Sequence, residues 1–385
     1  MKVLVISKPI YDNIMPLVEF PNDGDNFYIN STTKSLSNVG SLTAITLAKY
    51  GIDVSYTGMV GEDDIGLKIK EIFNSYKVDT KYIETSYTER TCVSHKIYNM
   101  KTNKFTNINE ICLKTNLTKF KYEFIPDIVI MDDKEYQANL AALNNYPNTL
   151  TIFLADKYTK ESSVYLNRCK YVISNLKFAS DATGVVNDLN KPKNIINLFQ
   201  KYTDLYKSNL IIKLDNFDLL YCIDDEVRLI KNVNKNITNK DNVYYSILCY
   251  FISNNFDIEN AIKFTNKAML SSSSELDMIK NIPDYNVINE CINEYKSILK
   301  EQTNIQNNME NTMLSNNTIN NQNELNKTEN IDILDTQQNI NENVIPNSTN
   351  LNIQQNTNNI VNNNTQNVNP VNNSNINDNN GVNNG

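Results

Sequence analysis

The sequence predicts an α/β, doubly wound domain with a mostly parallel sheet, helices on both faces and a small β lid, followed by an unstructured tail. Three observations carry that expectation. Short β-branched or apolar runs at residues 3–7, 127–131, 150–154 and 171–174 have no polar alternate positions, as in strands covered on both faces. Segments with apolar residues at helical spacing lie between several of them. Composition then changes abruptly near residue 300: of the 85 residues from Glu301 onward 33 are Asn, and none is aromatic, Cys or Arg.

Residues 3–7 form the first strand, closed by Lys8-Pro9. Residues 41–50 place Leu42, Ile45, Leu47 and Ala48 on a helix that stops at Gly51. Residues 54–57 read as the next strand, Gly58-Met59-Val60-Gly61 as a turn, and residues 65–76 as an amphipathic helix carrying Leu67, Ile69, Ile72 and Phe73. Residues 88–112 alternate polar with apolar or aromatic side chains and suit a small antiparallel piece. The runs at 127–131, 150–154 and 171–174 continue the α/β alternation. Residues 210–214 and 219–223 read as a hairpin, 242–253 and 258–269 as two helices, and 287–299 as a last helix. Residues 1–299 are thus the folded domain. Residues 300–385 cannot bury enough apolar surface to offset their ordering entropy and are expected to be a disordered, Asn-rich tail.

The net charge of -8 is spread along the chain with no long basic run, so nucleic acid is not an expected partner. No 18 apolar residues run together, so neither a transmembrane helix nor a membrane partner is expected. The opening apolar run is too short for a signal peptide, which points to a cytoplasmic, reducing location. The cysteines at 92, 112, 169, 222, 249 and 291 lack CxxC spacing and read as buried small hydrophobes rather than metal ligands, so no metal-binding residue is assigned. The lone histidine, His95, reads as structural.

Several local signatures occur in a telling order. Asp12 follows the first strand and precedes Val18, Pro21 and Gly24. Ala44-Ile45-Thr46-Leu47-Ala48-Lys49-Tyr50-Gly51 leads into Thr57-Gly58-Met59-Val60-Gly61-Glu62-Asp63-Asp64-Ile65-Gly66. Asn175 follows a strand and precedes Thr183-Gly184; Asp241 precedes an aromatic-rich helix; and Ala261, Phe264, Asn266 and Ala268 lie on the helix after that. Over residues 2–299 this order resembles the ribokinase (PfkB) family of carbohydrate and nucleoside kinases. The resemblance implies transfer of the ATP γ-phosphate, with Mg2+, to a hydroxyl of a small-molecule sugar or nucleoside. It implies Asp241 as base, Asp12 as a ligand of substrate hydroxyls, and Thr238, Asn239, Lys240, Asn175 and Asn266 at the nucleotide or its phosphates. It also implies a homodimer paired through the lid.

The site motifs depart from the family. Its D-x-x-G-A-G-D segment is Lys235-Asn236-Ile237-Thr238-Asn239-Lys240-Asp241 here, where only the last aspartate remains. No glycine occurs between Gly184 and Gly381, so the second half of the domain cannot build a glycine nest for a phosphate. Ser37-Asn38 stand for a Gly-Gly pair, Leu42 for a substrate-binding Asn, Phe178 for the acid of N-x-x-E, and Lys213-Leu214-Asp215 for a T-x-G turn. Two readings therefore stand side by side. One is a kinase in which Lys240 and Asn239 replace the nest; the other is a catalytically inactive ligand-binding or interaction module in which Asp241 only caps a helix.

Overall fold

A computed structural model describes residues 1–110, 117–186, 191–232 and 240–305. The chain opens with β1 (Lys2–Ile6), β2 (Tyr11–Leu17), β3 (Thr33–Ser35), α1 (Val39–Lys49), β4 (Asp53–Gly61), α2 (Asp64–Ser75), β5 (Asp79–Ser86), β6 (Val93–Asn99) and β7 (Lys104–Asn109). It continues through β8 (Ile128–Asp132), α3 (Tyr136–Asn145), β9 (Leu150–Ala155), α4 (Ser162–Leu166), β10 (Tyr171–Asn175), α5 (Leu176–Thr183) and α6 (Pro192–Leu205). Then come β11 (Asn209–Lys213), β12 (Leu219–Ile223), β13 (Glu226–Ile230), α7 (Asp241–Ser253) and α8 (Ile258–Met269), and the described part closes on a helix, α9, at 285–305.

Nine strands form one sheet in the order β13-β12-β11-β10-β9-β8-β1-β4-β5, parallel from β11 through β5 and antiparallel at the β11-β12-β13 edge. The continuous apolar runs are explained by cover on both faces. Along β1, Val3 and Val5 pack with α1, α7 and α8, while Leu4 and Ile6 pack with α3, α5 and α6. Each such side chain removed from water contributes about 1.5–3 kcal/mol. Helices α1 and α7 lie side by side on the first face, joined by a Thr46 Oγ1 to Ser246 Oγ hydrogen bond of 2.9 Å. The ring of Tyr295 on α9 stacks on Phe256 at 3.9 Å.

A second sheet, β3-β2-β6-β7, makes the lid. It is larger than the antiparallel piece expected at 88–112, because β2 joins it by parallel pairing with β6 and such a long-range pairing leaves no local signal. Residues 58–61 are not a turn but the end of β4. Gly61 has no positive φ; a Cβ there would lie 2.6 Å from both Glu89 O and Thr91 N, so the glycine answers a close backbone approach. The last helix starts earlier than residue 287 and continues past 299 to 305. Cys169, Cys222, Cys249 and Cys291 are free thiols, whereas Cys92 is disulfide-bonded, which corrects its reading as a simple small hydrophobe. Among the described residues no helix is long and apolar enough to cross a membrane.

Candidate functional site

The carboxyl ends of parallel strands leave a crevice where connections diverge to opposite faces. Here Ile10 beyond β1, Asp132–Lys134 at β8, Asp156 beyond β9 and Asn175 at β10 wall a cleft of about 260 Å³. Asn38 and Val39 at the start of α1, with Asn242 and Tyr245 on the first turns of α7, close it from the other side. A smaller pocket of about 100 Å³ adjoins it under the lid, lined by Ser37, Lys96, Phe105, Asn107 and Met278. Asn242 belongs to both cavities, and its Nδ2 donates to Ser37 O at 2.7 Å.

Asp12 lies on β2 with 1% exposure. Its Oδ2 accepts from Ser37 N at 3.1 Å, from the Ser37 hydroxyl, and from Lys96 Nζ at 3.0 Å. Both partners line the lid pocket, so Asp12 orients the groups that a ligand there would meet. His95, also on the lid, stands between Asn13 (3.5 Å) and Glu110 (2.8 Å).

Asp241 is the first residue of α7, not its cap; the capping position is Lys240, which makes no side-chain cap hydrogen bond. The Asp241 carboxylate is 46% exposed and pairs with Lys213 Nζ at 2.5 Å, whose own side chain is only 7% exposed. The Lys213 ammonium also donates to Leu214 O at 3.1 Å and lies 4.3 Å from the centre of the Phe217 ring. Lys240 is buried, and its Nζ donates to Ser272 O at 3.3 Å. Burial lowers the pKa of that amine.

Asn175 does line the cleft, and it caps α5: Oδ1 accepts from Phe178 N at 2.8 Å and Nδ2 donates to Asp156 O at 3.1 Å. Asn266 is drawn instead into the packing of α8 against α7, where its Oδ1 accepts from Tyr244 OH at 2.6 Å; it stands apart from the cleft lining. Thr238 and Asn239 lie outside the described residues.

Sequence reasoning missed the cluster that follows β8. Asp132 accepts from Ser7 Oγ at 2.5 Å and from Lys134 N at 3.0 Å. Burial pushes its pKa up to about 7, opposed by the Ser7 hydrogen bond and reinforced by the neighbouring charge of Asp133. Burial likewise raises Glu135 to about 7 against the attraction of Lys8, whose Nζ lies 4.0 Å away, and Glu135 Oε1 has no hydrogen-bond partner. The available signal was the run Met131-Asp132-Asp133-Lys134-Glu135 directly after a buried strand, where a parallel sheet presents its site. Gly40 admits this cluster: a Cβ on it would overlap the Ser7 side chain. Among the described residues no three His, Cys, Asp or Glu side chains are grouped to hold a metal ion.

Chemically, the cleft offers amides and carboxylates for hydroxyls. The head of α7 offers a helix N-terminus, whose capping residue Lys240 makes no side-chain cap hydrogen bond, and beside it an ammonium paired with Asp241.

The model of the pfkB family carbohydrate kinases matches residues 10–238. Ribokinase of Arabidopsis thaliana, solved with ribose and ATP, superposes with a TM-score of 0.62 at 16% identity, covering 75% of this chain and 97% of that one. Ribokinase of Thermotoga maritima gives 0.62 at 17%, covering 76% and 99%, and the nucleoside kinase of Methanocaldococcus jannaschii 0.60 at 16%, covering 76% and 98%. Among curated proteins none matches this sequence. At these identities the superpositions show the fold.

Proposed function

Because the chain belongs to the pfkB family of carbohydrate kinases, we propose that it transfers the γ-phosphoryl group of ATP to a hydroxyl of a sugar or nucleoside. The observation that carries this reading is the placement of Asp241. Its carboxylate is half exposed on the first turn of α7, and the next residue, Asn242, lines both the cleft and the lid pocket. In the balanced reaction the acceptor oxygen bonds to the γ-phosphorus, the bond from that phosphorus to the bridging oxygen breaks, ADP leaves, and the hydroxyl proton passes to Asp241.

The acceptor is held from the lid side by Lys96, Ser37 and Asn242, with Asp12 fixing the first two. The N-terminus of α7, Lys213 and Asn175 fit a nucleotide's phosphates, because they supply donors and positive charge where the family's motif supplies backbone N–H groups. Mg2+ keeps several waters, binds largely through phosphates and needs one or two protein carboxylates; Asp133 and Asp156 on the cleft wall are the residues suited to it. It would neutralise charge on the phosphates.

A second reading, binding without turnover, is favoured by one observation: no glycine lies between Gly184 and Gly381. Removing a single oxyanion donor costs about 10²–10³ in rate, so turnover slower than an ordinary kinase is expected. The test incubates the full chain with ATP, Mg2+ and a panel of pentoses, hexoses and nucleosides and looks for a phosphate ester by mass spectrometry. One ester accumulating with enzyme and time is the expected result. Sugar binding by calorimetry without any ester would overturn the transferase in favour of the binding module.

A further inference from the structure

Resting on the transferase reading, we propose that Lys213 has two roles at the head of α7: it positions the Asp241 carboxylate, and it is the side-chain cation that meets the nucleotide's phosphates. The resemblance places the threonine of its T-x-G turn at this position, and the lysine is this chain's departure from it.

Lys213 ends β11, in register with Asn175, the last residue of β10. The sheet thus places the Lys213 backbone beside that of Asn175, a residue that lines the cleft. A buried ammonium needs compensation, and an unpaired one costs several kcal/mol. Its surroundings are the Asp241 carboxylate, the Leu214 carbonyl and the Phe217 ring face, of which only the carboxylate carries charge. The same corner receives the positive end of the α7 dipole, where Lys240 at the capping position makes no side-chain cap hydrogen bond. One carboxylate therefore faces an ammonium and a helix N-terminus together, and a second anion is accommodated by exchanging the neutral Leu214 carbonyl for a phosphate oxygen. The ammonium then faces a full negative charge in place of a carbonyl dipole.

Two other described lysines are also engaged: Lys240, the residue aligned with the motif, donates to Ser272 O, and Lys134, on the cleft wall, pairs with Asp133 at 2.8 Å. No glycine supplies backbone donors in this half of the domain, and a lysine acts on phosphate as a point charge without needing the backbone to come close.

The experiment compares ATP with adenosine, which lacks the phosphates, by calorimetry on the full chain and its Lys213→Met and Lys213→Arg variants. Lys213→Met should weaken ATP about ten- to a hundredfold while leaving adenosine within about twofold, and Lys213→Arg should restore part of the loss. Equal weakening of both ligands would mean a merely structural lysine and overturn the proposal, as would unchanged ATP affinity. Asp241→Asn provides an independent arm that keeps the lysine: it should tighten ATP several-fold, because the ammonium no longer shares its charge with a carboxylate, and weaker binding there would contradict the proposal. A wild-type chain that binds neither ligand would instead overturn the transferase reading on which the proposal rests.

Discussion

The entry into α2 and the entry into α7 are both helix starts beside a strand end, and they are built by different means. At α2, the glycines are there because backbone passes within contact distance. A Cβ on Gly58 would overlap Ser7 O, one on Gly66 would overlap Gly61 O, and one on Gly61 would crowd Glu89 O and Thr91 N. Asp63 then caps the helix, accepting from Gly66 N at 2.7 Å, Thr91 N at 2.8 Å and Thr91 Oγ1 at 2.7 Å. At α7 there is no described glycine, and Lys240 at the capping position makes no side-chain cap hydrogen bond; side-chain pairs do the joining, Lys213 with Asp241, Lys240 with Ser272 O and Asn242 with Ser37 O. Backbone contact admits one residue type and so stays legible, whereas a charge can be supplied from any segment that reaches the spot.

The largest expected effect tests whether the second half can be returned to the family's motif by one change. Phe178 occupies the position of the N-x-x-E acid, yet it is fully buried, edge-on to Tyr158 at 5.8 Å and Phe153 at 6.2 Å. Phe178→Glu should cost about 4 kcal/mol or more, from lost packing and a buried carboxyl without a partner. Chemical denaturation near the wild-type midpoint would show that this side of the cleft is looser than described.

Gly61→Val should cost about 3 kcal/mol, because the new side chain meets backbone that cannot swing away. A melting temperature equal to wild type would break the distinction between backbone-built and charge-built entries.

A smaller effect appears as pH dependence. Asp132 and Glu135 are both pushed up to about 7 in the folded chain, above the usual unfolded values near 4. The folded state therefore holds their protons more tightly, and the stability they contribute is complete below about pH 4 and lost as pH rises through about 7. Asp132→Asn should flatten the fall in stability between about pH 4 and 7. Identical pH profiles for mutant and wild type would remove the account of the buried cluster.

The smallest effect belongs to the Asn-rich segment. Ending the chain after Ile305, where the described helix ends, should move the melting temperature by no more than about two degrees, since a segment so poor in large apolar side chains has little to bury. A broadened transition in the shortened chain would assign that segment a share of the fold.

How much could be read in advance follows the same division. The strand at 3–7, the helix at 41–50 and the hairpin at 210–223 were legible because burial imposes a period on neighbouring residues. The lid strand β2 was not, because its partners are distant in sequence. Gly58 and Gly61 were noticed but given to a turn, since glycine's freedom at positive φ and its lack of a side chain leave the same letter in the sequence. In the site, Asn175 lines the cleft and Asp12 holds Ser37 and Lys96 of the lid pocket, whereas Asn266 accepts from Tyr244. The pair Lys213–Asp241 joins two segments with no shared periodicity, and no local pattern announces it. Asp132 and Glu135 were visible as charges following a buried strand and were passed over.

The central claim is that Asp241, held by Lys213 in place of a glycine nest, still serves phosphoryl transfer. It is tested most directly by the initial rate of ATP-dependent acceptor phosphorylation in wild type and Asp241→Asn, with folding of both checked by thermal melting. The account predicts a wild-type rate below about 1 per second and a loss of at least about a hundredfold in the variant at unchanged stability. Equal rates in the two proteins would contradict it.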